Sequence, residues 1–193
     1  NDTDRAAVVS FEGSSDVDFS MAPMTDVNKT LAYSAINNIR ATGLTCIGCG
    51  MTNSLSQITG DSGNKKSNEI IVLLSDGKNT SGSNGTSLLP SLKSRGVVVY
   101  TIGLGNADSD LLSRFADETG GSYLYANTVS ELTRHFQEII AEIRSETVLK
   151  NPSVNDELAS EQTFTSSVDV DAYTAQSTIK FTLTWDQASQ DLQ

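Results

Sequence analysis

Histidine occurs once in this chain of 193 residues, tryptophan once, cysteine twice and proline three times. A zinc centre of the usual Cys/His kind needs four such ligands, and three are too few. Basic residues are also scarce: 13 stand against 24 acidic ones, a formal net charge of -11. Such a surface repels phosphate backbones and anionic headgroups, which argues against a nucleic-acid partner. No apolar run approaches the roughly 20 residues that cross a bilayer. The Gly-x-x-x-x-Gly-Lys-Ser/Thr loop of nucleotide hydrolases and the Gly-x-Ser-x-Gly elbow of serine hydrolases are both missing. Gly103-Leu104-Gly105 follows an apolar run, but Asp108 stands where a dinucleotide fingerprint needs glycine or alanine, and its charge would repel pyrophosphate. His135 lies among charged neighbours and reads as a surface histidine. No enzymatic machinery is legible, and the expectation is a non-catalytic protein.

What is present is a hydrophobic content of 37%, enough for a globular core. From Ala6 to Ile143 short apolar runs alternate with helical patterns, the signature of βα units around a mostly parallel sheet. Ala6 to Glu12 and Val17 to Met21 read as a hairpin across Gly13-Ser14-Ser15. Asp26 is placed to cap a helix over Val27 to Ile39, with Leu31, Ala35, Ile36 and Ile39 on one face. A glycine-rich loop, Gly43 to Thr52, precedes a short helix around Asn53 to Ile58. The continuous run Ile70 to Leu74 reads as a central strand buried on both faces. A helix over Ser87 to Arg95, a strand over Val97 to Ile102, a helix over Asp108 to Thr119, a strand over Ser122 to Ala126 and a helix over Ser130 to Ser145 follow.

After Val148 the pattern changes to alternation. Ile179, Phe181, Leu183 and Trp185 share one face, as in a half-buried antiparallel strand, and Thr163 to Val170 reads as its neighbour. The fold class expected is therefore α/β, a doubly wound, mostly parallel sheet over residues 1–147, with the opening of an incomplete β-sandwich over 148–193. The two cysteines, Cys46 and Cys49, form a Cys-x-x-Cys. A redox pair is one reading. The motif follows a helix and a loop instead of a strand, which favours a structural disulfide in an exposed loop and an oxidising compartment. Four Asn-x-Ser/Thr triplets, at Asn1, Asn28, Asn79 and Asn84, carry little weight in so Ser/Thr/Asn-rich a chain.

In open α/β sheets ligands bind beyond the carboxyl ends of the strands. Three loops qualify: Cys46 to Asn53, Leu74 to Asn79, and Gly103 to Asn106. A threonine hydroxyl and an aspartate carboxylate converging there are hard oxygen donors suited to Mg²⁺. The order of short segments then becomes specific: Asp4-Arg5-Ala6-Ala7-Val8-Val9-Ser10-Phe11, Gly50-Met51-Thr52-Asn53, Ile71-Val72-Leu73-Leu74-Ser75-Asp76-Gly77, Val98 to Gly105, and Thr119-Gly120-Gly121. Together they resemble a von Willebrand factor A domain without its first strand and helix. That family's metal-ion-dependent adhesion site uses an Asp-x-Ser-x-Ser motif, a threonine and an aspartate on three loops. By position the resemblance assigns the threonine to Thr52 and the aspartate to Asp76.

The Asp-x-Ser-x-Ser motif is absent from the chain. Trp185-Asp186-Gln187-Ala188-Ser189-Gln190 lacks the serines and follows an alternating strand, so it is rejected as a substitute. The resemblance implies a preceding segment or separate chain that carries the motif and fills the middle of the sheet, as though this sequence enters the domain midway. It further implies Mg²⁺, or Mn²⁺ or Ca²⁺, at Thr52 and Asp76. Gly50, Met51, Asn53, Gly77 and Lys78 would be ligand-binding loop residues, and a partner protein's carboxylate would complete the shell. The module would be an extracellular or cell-surface adhesion domain, similar in layout to secreted proteins of the calcium-activated chloride channel regulator type and to microbial surface proteins. The alternative is a structural or assembly module whose sheet is completed by another segment and which has no working metal site.

Overall fold

A computed structural model describes residues 4–40, 43–60 and 68–144. The predicted β-sandwich, 148–193, lies outside them. The chain divides into two units between Asn127 and Thr128, and each is taken by itself.

The first unit opens with the expected hairpin, β1 (Arg5–Phe11) paired antiparallel with β2 (Ser15–Pro23). Two register irregularities, between Ala6 and Val8 and between Val8 and Val9, break the ladder. Helix α1 (Asp26–Asn38) follows. Its N-cap is Thr25, whose Oγ1 accepts from the Asn28 N–H at 3.3 Å, and Asp26 instead occupies the first turn beside the helix dipole. The predicted core face does not close: Leu31, Ile36 and Ile39 are exposed, and no residue of α1 is buried.

Helix α2 spans Ile47–Gly60, starting well before the short helix expected. Its apolar residues Ile47, Met51 and Ile58 are buried in a core shared with Ile71, Leu73, Val99, Leu112 and Phe115, and Phe11 and Met21 of the hairpin pack against the same core. Close approach of α2 depends on two glycines. A Cβ at Gly50 would sit 2.6 Å from Cδ1 of Phe11, and one at Gly48 would sit 2.3 Å from the Ser83 carbonyl oxygen.

Strands β3 (Ile70–Ser75), β4 (Val98–Leu104) and β5 (Tyr123–Ala126) form a parallel sheet in the order β3-β4-β5. The strand read as central, β3, is an edge of this sheet, and β4 is its middle. Ile71, Leu73 and Ser75 are buried, whereas Val72 and Leu74 are 39% and 36% exposed, so β3 is covered on one face only. Among the described residues β3 pairs with β4 alone and β1 with β2 alone, which leaves each with an open edge.

The connections are helical. After the 3-10 turn Thr86–Leu88, helix α3 (Leu89–Arg95) carries Pro90 in its first turn and stops at Gly96, whose φ of 75° is a left-handed cap. Helix α4 (Ser109–Thr119) is capped by Asp108, which accepts from the Leu111 N–H at 3.2 Å, and buries Leu111, Leu112, Phe115 and Ala116. Thr119 and Thr101 stitch α4 to β4: Thr119 Oγ1 accepts from the Val99 N–H at 2.9 Å, and Thr101 Oγ1 donates to the Leu112 carbonyl at 3.0 Å.

In the second unit the described element is α5 (Val129–Ile143), capped by Thr128 through a 3.1 Å bond from the Glu131 N–H. His135 is not a surface residue. It is 7% exposed, and its Nδ1 lies 2.8 Å from Glu138 Oε2, a partner one turn along the helix that a linear reading of charged neighbours does not reveal. Among the described residues no helix is long and apolar enough to cross a membrane.

Candidate metal-binding loops at the carboxyl end of the sheet

The run Ile70–Ser75 ends because Ser75-Asp76-Gly77 turns. Ser75 Oγ donates to the Gly77 carbonyl at 3.1 Å and holds the turn closed. Asp76 is exposed, and its carboxylate makes no hydrogen bond or ion pair among the described residues. The loop after β4 lies beside it. Gly105 has φ +51°, a Cβ there would lie 3.9 Å from the Asp76 carbonyl oxygen, and Tyr125 Oη donates to the Gly105 carbonyl at 2.9 Å. Tyr123, on the same strand as Tyr125, has its phenol pushed above the ordinary tyrosine range by burial and then by the neighbouring Tyr125.

The entry to α2 is the third component. Thr45 Oγ1 stands 3.2 Å from the position a Cβ on Gly77 would take, so its hydroxyl borders the Asp76 turn. The Thr45 backbone is clamped there. Its N–H donates to Thr80 Oγ1 at 2.9 Å, and its carbonyl accepts from the Thr80 and Ser81 N–H groups at 2.8 and 3.1 Å. Asn79 Oδ1 accepts from the Ile47 N–H at 2.9 Å and so caps α2 from the loop that carries Asp76. The Gly48 N–H donates to the Ser83 carbonyl at 2.9 Å. Together these bonds fasten the start of α2 to residues 79–83.

Thr52, the threonine assigned by position, sits in the second turn of α2. It is exposed, and its Oγ1 donates to the Gly48 carbonyl at 2.7 Å, the common i-4 bond of a helical threonine. It neither caps a helix nor borders the Asp76 turn. Gly50, Met51 and Asn53 likewise lie in α2 and not in a loop: Gly50 lies against Phe11, Met51 is fully buried, and Asn53 Nδ2 donates to Ser15 Oγ at 2.8 Å. Gly77 and Lys78 do belong to the Asp76 loop, with Lys78 exposed. The hydroxyl that the geometry offers beside Asp76 is that of Thr45. The spacing Ile47, Met51, Leu55, Ile58 already carries a helical period, and following it back to Ile47 would have left Thr45 as the last hydroxyl before the helix.

Cys46 and Cys49 are disulfide-bonded, as expected, but not in an exposed loop: Cys46, immediately before α2, is at 0% exposure, and Cys49 is half-buried in the first turn of α2. The described residues contain no group of three His, Cys, Asp or Glu side chains arranged to hold a metal ion.

The profile of the von Willebrand factor type A domain matches residues 1–141. The chain belongs to that family. Among solved structures, a von Willebrand factor type A protein from Catenulispora acidiphila superposes with a TM-score of 0.66 at 19% identity, covering 74% of this chain and 34% of its own. BatB, a conserved hypothetical protein from Bacteroides thetaiotaomicron, gives a TM-score of 0.56 at 14% identity over 76% of this chain and 82% of its own. Proximal thread matrix protein 1 from the mussel byssus, in a form with a zinc-occupied MIDAS motif, gives 0.56 at 20% identity over 70% of this chain and 34% of its own. The chain thus spans about a third of the length of the first of these. No curated protein sequence matches it.

Proposed function

We propose that this chain is a non-catalytic protein-binding module of an extracellular or cell-surface protein, in which Asp76 and Thr45 supply part of a divalent-metal site. The observation that carries the reading is the Asp76 carboxylate, exposed and without a protein partner among the described residues, in a turn at the carboxyl end of a parallel sheet whose next residue, Gly77, the Thr45 hydroxyl borders. A carboxylate and a hydroxyl are hard donors that fit Mg²⁺, and equally Mn²⁺ or Ca²⁺, but two donors do not fill a near-octahedral shell. The rest would come from a segment carrying Asp-x-Ser-x-Ser and from a carboxylate of the partner protein. Binding proceeds by ligation, with no bond made or broken in the partner. The zinc-occupied motif of the mussel byssus protein supports a metal at this place in the fold. The disulfide supports an oxidising compartment.

The open edges of β1 and β3 support the missing segment. Unpaired ladder groups on two strands are costly to leave bare, and an added segment could pair with them. The same edges favour a second reading, a structural module completed by another segment with no working metal. The two separate in a Mn²⁺ titration of the polypeptide as its host makes it, comparing wild type with Asp76→Ala, Thr45→Ala and Thr52→Ala. Affinity falls by about tenfold or more in Asp76→Ala, where a charged partner worth about 1.5–3 kcal/mol is lost, by less in Thr45→Ala, where the lost hydroxyl is neutral, and holds in Thr52→Ala. Equal Mn²⁺ affinity in wild type and Asp76→Ala would discard the metal reading and leave the structural one.

A further inference from the structure

The proposed ligation makes no use of the Cys46–Cys49 pair. Its surroundings are not those of an inert staple. Cys46 is fully covered while Cys49 is half-buried, so the two sulfur-bearing residues differ in access. The Cys49 N–H, in the first helical turn, is shared between the Cys46 carbonyl at 3.1 Å and Cys46 Sγ at 3.3 Å. On the other side stands Gly82, with φ +58°, where a Cβ would come within 2.6 Å of Cys46 Sγ and 3.6 Å of Cys49 Sγ. Gly82 belongs to the loop that Asn79, Thr80, Ser81 and Ser83 fasten to the entry of α2.

These placements give the bond a direction of attack and a consequence. An incoming thiolate reaches Cys49, forms a mixed disulfide with its sulfur and expels Cys46 as a thiolate. That leaving sulfur is held by the Cys49 N–H and the positive end of α2, and a stabilised thiolate leaves faster. A second thiolate then attacks the external sulfur of the mixed disulfide and releases Cys49. In sum a dithiol is oxidised to its cyclic disulfide while the protein bond takes up two electrons and two protons. Two thiols no longer bonded to each other need van der Waals separation, and Gly82 already stands against Cys46, so the loop has to move.

We propose that Cys46–Cys49 is a reversible thiol–disulfide switch whose reduction by a small dithiol loosens the loop from Asp76 to Gly85. The switch does not depend on a metal being bound at Asp76. The test uses the full chain, oxidised and after dithiothreitol without denaturant. Maleimide labelling counts the thiols, and amide hydrogen exchange is read by mass spectrometry on peptides covering 76–85, with an α4 peptide as internal reference. Two thiols appear under native conditions, exchange over 76–85 rises by about tenfold or more, α4 is unchanged, and reoxidation restores the starting rates. Cys46→Ser/Cys49→Ser reproduces the reduced pattern, and the reduced wild-type chain carries the test alone where that variant does not fold. Thiols that appear only in denaturant, or equal exchange over 76–85 in both states, would overturn the switch. Because no metal enters the readout, failure here is distinct from failure of the metal reading.

Discussion

Gly48→Ala probes whether α2 is fastened to the Asp76 loop as closely as the structure shows. The added methyl would lie 2.3 Å from the Ser83 carbonyl oxygen, 2.7 Å from the Gly85 nitrogen and 2.9 Å from the Ser83 carbonyl carbon. All three are backbone atoms, so no side chain can swing away and either the helix or the loop must shift. Overpacking of this kind costs about 1–3 kcal/mol. The shift also strains the 2.9 Å bond from the Gly48 N–H to the Ser83 carbonyl, worth about 1 kcal/mol. Against this, alanine in a helix is favoured over glycine by about 1 kcal/mol. The net expectation is a destabilisation of about 1–3 kcal/mol, a fall in Tm of roughly 3–10 °C for a chain of this size. Gly60→Ala, at the far end of the same helix with nothing within 4 Å of the added methyl, is the control and leaves Tm unchanged or slightly raised. Urea and thermal unfolding measured side by side on both variants decide the matter. If Gly48→Ala behaves like Gly60→Ala, α2 and residues 83–85 are not in contact, and the geometry drawn for Thr45 and Asp76 falls with it.

Phe115→Ala empties a fully buried site in the core and lowers unfolding stability by about 3–5 kcal/mol in urea denaturation, whereas a cost below 1 kcal/mol would mean the side chain is not enclosed. Thr101→Val keeps shape but loses the hydroxyl bond to the Leu112 carbonyl, and should cost about 1–2 kcal/mol by the same assay. The Glu118 carboxyl is held below the ordinary glutamate range by hydrogen bonds from Arg114 and then Lys93, at 2.9 and 3.3 Å. Its folded pKa lies below its unfolded one, so its contribution is present above the unfolded pKa and is lost as pH falls through the folded value. An NMR titration should place its midpoint below that of a free glutamate and move it upward in Arg114→Gln; a midpoint indifferent to that change would refute the pairing.

Element order, helix and strand types and the hairpin were legible in the sequence because each rests on local chemistry. Alternating or continuous apolar runs marked β1, β3 and β4, Asp108 and Thr119-Gly120 bracketed α4, and Gly96 ended α3 by its left-handed conformation. Asp76 was legible for the same reason, as the charge where an apolar run stops. What lay beyond local chemistry was which neighbours each element would find. The continuous apolar run of β3 announces burial on both faces, yet Val72 and Leu74 are exposed because a strand's second face and second edge are covered only by something else in space. The apolar stripe of α1 is left open on the same account. Thr52 and Thr45 are both threonines near the start of α2, and sequence position favoured the first. Helix geometry turns Thr52 back onto the Gly48 carbonyl, while long-range bonds from residues 79–83 draw Thr45 to the Asp76 turn. Cys46 and Cys49 were visible as a pair, but the burial of Cys46, their place at the start of α2 and the glycine pressed against Cys46 belong to packing between segments some 33 residues apart. The sequence by itself determined which elements form and which oxygen donors the chain possesses; the tertiary structure decided which donors meet, because convergence is set by the paths of distant segments and not by the residues next door.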